Sequence, residues 1–204
     1  MKTKTITKSS KQSQIPEYLI YEMKDGKPIY YKNYELVLNK KLPPEAIMGS
    51  SALQSFIIRI IIQFLLKNLD LKQYEVLSNE IGFQWDKGSW RNLDIAIFDK
   101  KAILPYLSKN EYIKIPPIIV FEVDTKADTS QYPDIEFYIR DKIQDLLNHG
   151  VQKIFWFTTH DKKILIAEQN KNWIITNWDF DLNIIDNLSF NLYKALLNEK
   201  IPLE

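Results

Sequence analysis

Hydrophobic and polar positions follow recognisable periods over most of the chain. "YEVLSNEIGFQW" (74–85) and "NLDIAIF" (92–98) are rich in strand formers and flank the glycine-bearing turn "DKGS" (86–89). That pattern predicts a β-hairpin. "PIIVFEVD" (117–124) is a short apolar run suited to a strand covered on both faces. "DIEFYIRDKIQDLLNHG" (134–150) carries Ile135, Ile139, Ile143, Leu146 and Leu147 at helical spacing, and Gly150 ends it. "VQKIFWFTT" (151–159) is the next buried strand. Strand, helix and strand in this order spell a right-handed βαβ crossover.

The flanking segments are less periodic. Residues 28–42 read as two short strands joined near Lys32–Asn33, and Pro43–Pro44 opens a helical region. A serine in "MGSSALQSF" supplies a cap for a long helix running to about Leu69. Its segment "FIIRIIIQFLLKNL" (56–69) is shorter than the ~20 residues of a membrane span and is interrupted by Arg59, Gln63 and Lys67. One narrow polar stripe on an otherwise apolar helix predicts burial on both sides, in a soluble protein with no membrane partner. A short helix is expected around "AILPYLS", a peripheral hairpin around Asn170–Lys171–Asn172 and a terminal helix over 189–199. The sum is a mixed α/β fold: a central mixed sheet flanked by helices, with peripheral hairpins. Residues 1–16 are polar and basic without an apolar signal core and read as a flexible tail; 17–204 read as a single domain.

Composition narrows the chemistry. The chain has 204 residues, no cysteine, two histidines and a formal charge of +1. Thiolate metal sites, a cysteine nucleophile and a disulfide framework are excluded, and a cytoplasmic setting fits. Near-neutral charge argues against a protein that coats nucleic acid, but not against a locally basic cleft. Five glycines make no phosphate-binding loop, and "GSS" (49–51) lacks the flanks of a nucleophile elbow. The five tryptophans read as packing groups.

Carboxylates remain. Alternation places Ile118, Val120, Glu122 and Asp124 on one face of their strand, and Asp94 on a face with Ala96 and Phe98 of the preceding one. Buried carboxylates need a partner or a metal, and such a pair suits Mg²⁺ (or Mn²⁺). Lys142 falls at the border of the helical apolar stripe, within reach of the strand bearing Glu122. It is either a stem covering apolar surface or a group that holds an attacking water. Lys126, just past the strand end, reads as a solvated loop residue.

Asp94 in "NLDIAIF", Glu122 in "IIVFEVDTKAD" and "DKIQDLLNHGVQKIFWF" together resemble the Uma-type family of bacterial restriction endonuclease candidates, within the PD-(D/E)XK nuclease superfamily. The resemblance spans most of the chain, from about residue 34 to Trp178. It implies a restriction-endonuclease-like core, with Asp94, Glu122 and the backbone carbonyl of Val123 as metal ligands. The usual superfamily signature has lysine two positions after the second acid, where this chain has Asp124. Lys142 matches the helix position at which this family carries its lysine. Asp124 then stands as an extra metal ligand or as the mark of a degenerate site. Glu80 and Gln54 are candidates to support the ligands from behind. Two functions follow as expectations: a divalent-metal-dependent endonuclease hydrolysing DNA phosphodiester bonds, with DNA as partner; or a catalytically inactive nuclease-like fold that binds DNA or protein. A homodimer through the two-sided apolar helix is a further expectation.

Overall fold

The computed structural model describes residues 15–200. The tail expected over 1–16 lies, up to residue 14, outside the described residues. The described chain opens on a hairpin, β1 (Ile20–Lys24) and β2 (Lys27–Tyr30). Its turn is Asp25–Gly26, with φ of 49° and 75°, the paired positive values that an Asp-Gly turn supports. The strands expected over 28–42 are therefore displaced towards the N-terminus. Asn33, at φ 67°, does not turn a hairpin but leads into the short helix α1 (Tyr34–Leu38).

The helix α2 (Glu45–Met48) follows, then the long helix α3 (Ala52–Asn68). Ser51 caps α3 by accepting the Gln54 N–H at 3.1 Å. Only one side of α3 is buried, through Ile57, Ile60, Ile61 and Leu65. Leu66 is exposed and Ile58 and Ile62 are half-buried, so the two-sided burial expected from its composition is not realised. Among the described residues no helix is long and apolar enough to cross a membrane.

The predicted hairpin is β3 (Tyr74–Asp86) and β4 (Ser89–Asp99), followed by the short helix α4 (Lys100–Ile103). Next come β5 (Ile119–Val123), α5 (Ile135–Asn148) and β6 (Lys153–Thr158). The peripheral hairpin is β7 (Lys163–Glu168) and β8 (Ile174–Asn177). A small hairpin that the hydrophobic pattern did not show, β9 (Leu182–Ile185) and β10 (Leu188–Phe190), precedes α6 (Leu192–Asn198).

The strands order as β2-β1-β4-β5-β6-β7-β8 in one eight-stranded sheet, with β3 on the other edge of β4. β5 and β6 pair in parallel, as the crossover through α5 requires. Two cores result. Tyr138, Ile139, Ile143, Leu146 and Leu147 of α5 pack with Ala96, Val120, Ile154 and Trp156 of the sheet. On the other side α3 and α6 pack over Ile95, Ile97, Phe121, Val123 and Phe155.

The edge of β4 facing β1 and β5 is shared unequally. β1 meets it at Trp90, and β5 joins it only from Ile95 onward. Between those points, residues 91–94 lie on an edge that neither strand completes. The candidate site is built around that opening.

Candidate active site

Backbone groups in the opening are satisfied by side chains. The Asn92 N–H donates to Glu22 Oε1 at 3.2 Å, and the Asn92 carbonyl accepts from Lys142 Nζ at 2.6 Å. Asp94 Oδ2 accepts the Val123 N–H at 2.8 Å, joining the end of β5 to β4 through a carboxylate. Buried backbone polar groups demand such partners.

Lys142 is fully buried at 0% exposure, at the centre of the α5 face rather than its border. The face is shifted from the expected one: Tyr138 joins it, while Ile135 is 40% exposed. The Lys142 ammonium lies 2.9 Å from Glu22 Oε1 and 3.1 Å from Glu122 Oε2, with the Trp156 ring centroid at 5.3 Å. Helix and strand thus bring Lys142 and Glu122 together as the spacing suggested.

Glu22 and Arg91 escaped the sequence reading. Glu22 is buried and accepts from Arg91 Nη1 at 2.8 Å and from the Tyr138 hydroxyl at 2.8 Å, besides Asn92 and Lys142. Arg91 reaches onward to Asp141 and Asp145 on α5, which Lys24 also binds. The available signal was the pair Asp141 and Asp145, one helical turn apart beside the apolar stripe, facing an arginine inside a strand. Glu22 could not be placed because β1 itself was not read.

The two glutamates differ in electrostatic state. Burial pushes the Glu22 carboxyl up, but Lys142 and Arg91 outweigh it and hold the group below its ordinary value. Burial pushes Glu122 well up, and Lys142 offsets this only in part. Asp94 is also raised by burial, against the Val123 N–H and Lys142. Lys142 is raised despite burial, because Glu122 and Glu22 face it. The charge pair is therefore Lys142 with Glu22. Glu122 is left 2% exposed, and its Oε1 is buried without a hydrogen-bond partner.

Asp94, 9% exposed, lines a cleft of about 420 Å³ with Ser50, Ser55, Ser78, Asn79, Glu80 and Lys126. Opposite Asp94, β3 carries a bulge: Ser78 pairs with Ile95 and Ile81 with Leu93, leaving two residues against one. Both bulge residues, Asn79 (φ 81°) and Glu80 (φ 54°), adopt left-handed backbone, which costs roughly 1–3 kcal/mol each. Such strain held beside a cleft fits a functional position. Glu80 accepts from the Tyr31 hydroxyl at 3.3 Å and pairs with Lys126. Lys126 is accordingly not a solvated residue; its side chain is 12% exposed.

Gln54, on α3, donates to the Val123 carbonyl at 2.7 Å, so it stands directly behind β5. Asp124 does not share a face with Glu122. At φ 57° it leaves strand geometry, and its carboxylate binds the N–H and hydroxyl of Thr159 at 2.8 and 2.6 Å. The alternation that placed it beside Glu122 ends at Val123.

The donor set fits a hard divalent cation in part. Asp94 and the partnerless oxygen of Glu122 are carboxylates, and a carbonyl oxygen that already accepts one hydrogen bond, such as Val123, keeps a second lone pair. Mg²⁺ takes few protein ligands and keeps water. Among the described residues no three His, Asp or Glu groups are placed to hold a metal by themselves.

No protein-family model matches the chain, and no curated protein matches it. Among solved structures it is similar to the crystal structure of a candidate nuclease belonging to DUF820 from Anabaena variabilis ATCC 29413. The identity is 14%, the match covers 86% of this chain and 89% of that one, and the TM-score is 0.59. That likeness shows the fold: a mixed α/β architecture with a large mixed sheet flanked by helices, shared with a nuclease-like neighbour.

Proposed function

We propose that the chain is a divalent-metal-dependent endonuclease hydrolysing DNA phosphodiester bonds, of the Uma-type branch of the PD-(D/E)XK superfamily. One observation carries the reading: Glu122 is buried with an unpartnered oxygen, next to Asp94 and in contact with Lys142. Lys142 compensates one oxygen only, and the other stays costly unless a further cation or donor faces it. Mg²⁺ or Mn²⁺ would be held by Asp94, Glu122 and the Val123 carbonyl. Bound there, the ion supplies Lewis-acid polarisation of a phosphoryl oxygen and a more acidic water.

The chain's own residues do the rest. Gln54 and Asp94 grip the two sides of the Val123 peptide and fix the end of β5. Glu122 and Glu22 together keep Lys142 charged, so that it faces both as an ammonium. In that state it pairs with one oxygen of Glu122 and orients the carboxylate. Asp124 ties the end of β5 to the turn after β6 through Thr159 and has no part in this reading.

Plasmid nicking in Mg²⁺ or Mn²⁺ tests the proposal. Wild type nicks, and Glu122→Gln and Lys142→Ala each lose activity by about 100-fold or more, the scale of removing one preorganised charged group. Nicking that survives both substitutions refutes the assignment. Wild type that binds DNA but never nicks establishes the alternative, a nuclease-like binding module. A homodimer belongs to the same reading, with the outward stripe of Ile58, Ile62 and Leu66 on α3 as its face. Sedimentation velocity showing monomer alone removes that part.

A further inference from the structure

The cleft beside Asp94 holds a cation that the buried cluster does not use. Lys142 donates to the Asn92 carbonyl and faces both Glu22 and Glu122, at 0% exposure. It cannot meet a phosphate on the surface without abandoning these partners. Lys126 lies on the cleft wall itself, in the company of Ser50, Ser55, Ser78 and Asn79.

The segment bearing Lys126 is fixed on both sides. Its carbonyl accepts the Lys32 N–H at 2.7 Å, Ala127 forms a bridge with Tyr31, and the Asp128 N–H donates to the Tyr30 carbonyl at 2.8 Å. The strand β2 end and the loop after β5 are thereby stapled together, and Lys126 projects from a rigid base. Its ammonium is paired with Glu80, which the β3 bulge turns towards it. An ammonium has further N–H donors to spare beyond that one ion pair.

We propose that Lys126 is the residue that takes the backbone phosphate of duplex DNA in this cleft, and that Glu80 is the latch that holds it in place until the phosphate arrives. The inference rests on the nuclease reading of the same site. Glu80 and Asp94 both line the cleft, so an incoming phosphate meets two like charges and one cation. Release of Glu80 frees the full charge of Lys126 for the phosphate. Lys126 is thus the phosphate-contacting group, and Glu80 is a positioning residue acting through it.

The test is binding of a fluorescein-labelled DNA duplex to the full chain, in EDTA, read by anisotropy across a salt series. Lys126→Ala weakens binding by about tenfold and lowers the slope of log Kd against log salt by about one. Lys126→Arg restores both, which separates a phosphate contact from a folding defect. Glu80→Gln binds at least as tightly as wild type. Unchanged slope and affinity in Lys126→Ala overturn the inference, and so does absence of duplex binding by wild type. Because EDTA suppresses metal-dependent cleavage, the two proposals fail separately. A Lys126-dependent slope without nicking in Mg²⁺ defeats the nuclease and keeps the phosphate site; nicking with an unchanged slope does the reverse.

Discussion

Glu22 and Glu122 compete for one ammonium, and their surroundings decide the outcome. Glu22 accepts from Arg91, Tyr138 and the Asn92 N–H as well as facing Lys142, whereas Glu122 has Lys142 on one oxygen and no partner on the other. Burial raises the Glu22 pKa, but Lys142 and Arg91 hold it below its ordinary value. A depressed carboxylate contributes stability that is present above its unfolded pKa and is lost as pH falls through the folded one. Glu22→Gln should therefore cost about 3–5 kcal/mol at neutral pH, because Arg91 and Lys142 lose a buried counter-charge. Urea denaturation reads that cost, and the same titration at falling pH should show a shallower acid loss than wild type. The burial of Asp94, Glu122 and Lys142 was legible in the sequence because each is a charge set into an apolar period. Asp124 was set on the wrong face because strand alternation was carried past Val123, where a left-handed residue ends it; Lys126 was read as solvated because its partner Glu80 is supplied by the bulge of β3.

Elements with a clear period and clear punctuation were read within two residues, apart from the start of β4, which lies three residues earlier than expected. For β3, β4, β5, α5 and β6 the apolar pattern and the flanking turns agree, and local and tertiary preferences coincide. β1 and β2 were displaced because "EMKDGKP" combines a strong Asp-Gly turn with strands too short to alternate visibly. β9 and β10, three or four residues each, give no period at all. The bulge in β3 has no signature in composition; it shows only in the register with β4. Gly150, two residues past the end of α5, sits at φ 100°, where an added Cβ would lie 2.9 Å from Pro116 Cγ. Gly150→Ala should destabilise the fold by roughly 1–3 kcal/mol, through positive φ and this contact together. A thermal melt against wild type checks it. By contrast, Ser51→Ala, which removes only the α3 cap, should cost about 1 kcal/mol.

At the scale of the whole molecule, the mixed sheet with helices on both faces was legible, since strand and helix order restrict the topology strongly. The one-sided burial of α3 was not, because an apolar helix does not say which side has a neighbour. A divalent ion between Asp94 and Glu122 would act on the entire folding equilibrium by binding the folded state alone. Saturating Mg²⁺ should raise stability by about 1–3 kcal/mol in wild type and leave Asp94→Asn unmoved, measured by differential scanning calorimetry. The ion-pair cluster has a kinetic consequence as well. It joins Glu22, Arg91, Glu122 and Lys142, with Asp141 and Asp145 beyond, so its charges can leave water only when the first hairpin, the central strands and the crossover helix have all arrived. A chain still being synthesised, with residues beyond β5 not yet made, would carry Glu22 and Glu122 without the lysine that reconciles them. Such a chain gains little from early closure, so this half of the molecule is expected to fold as one late, cooperative event rather than strand by strand.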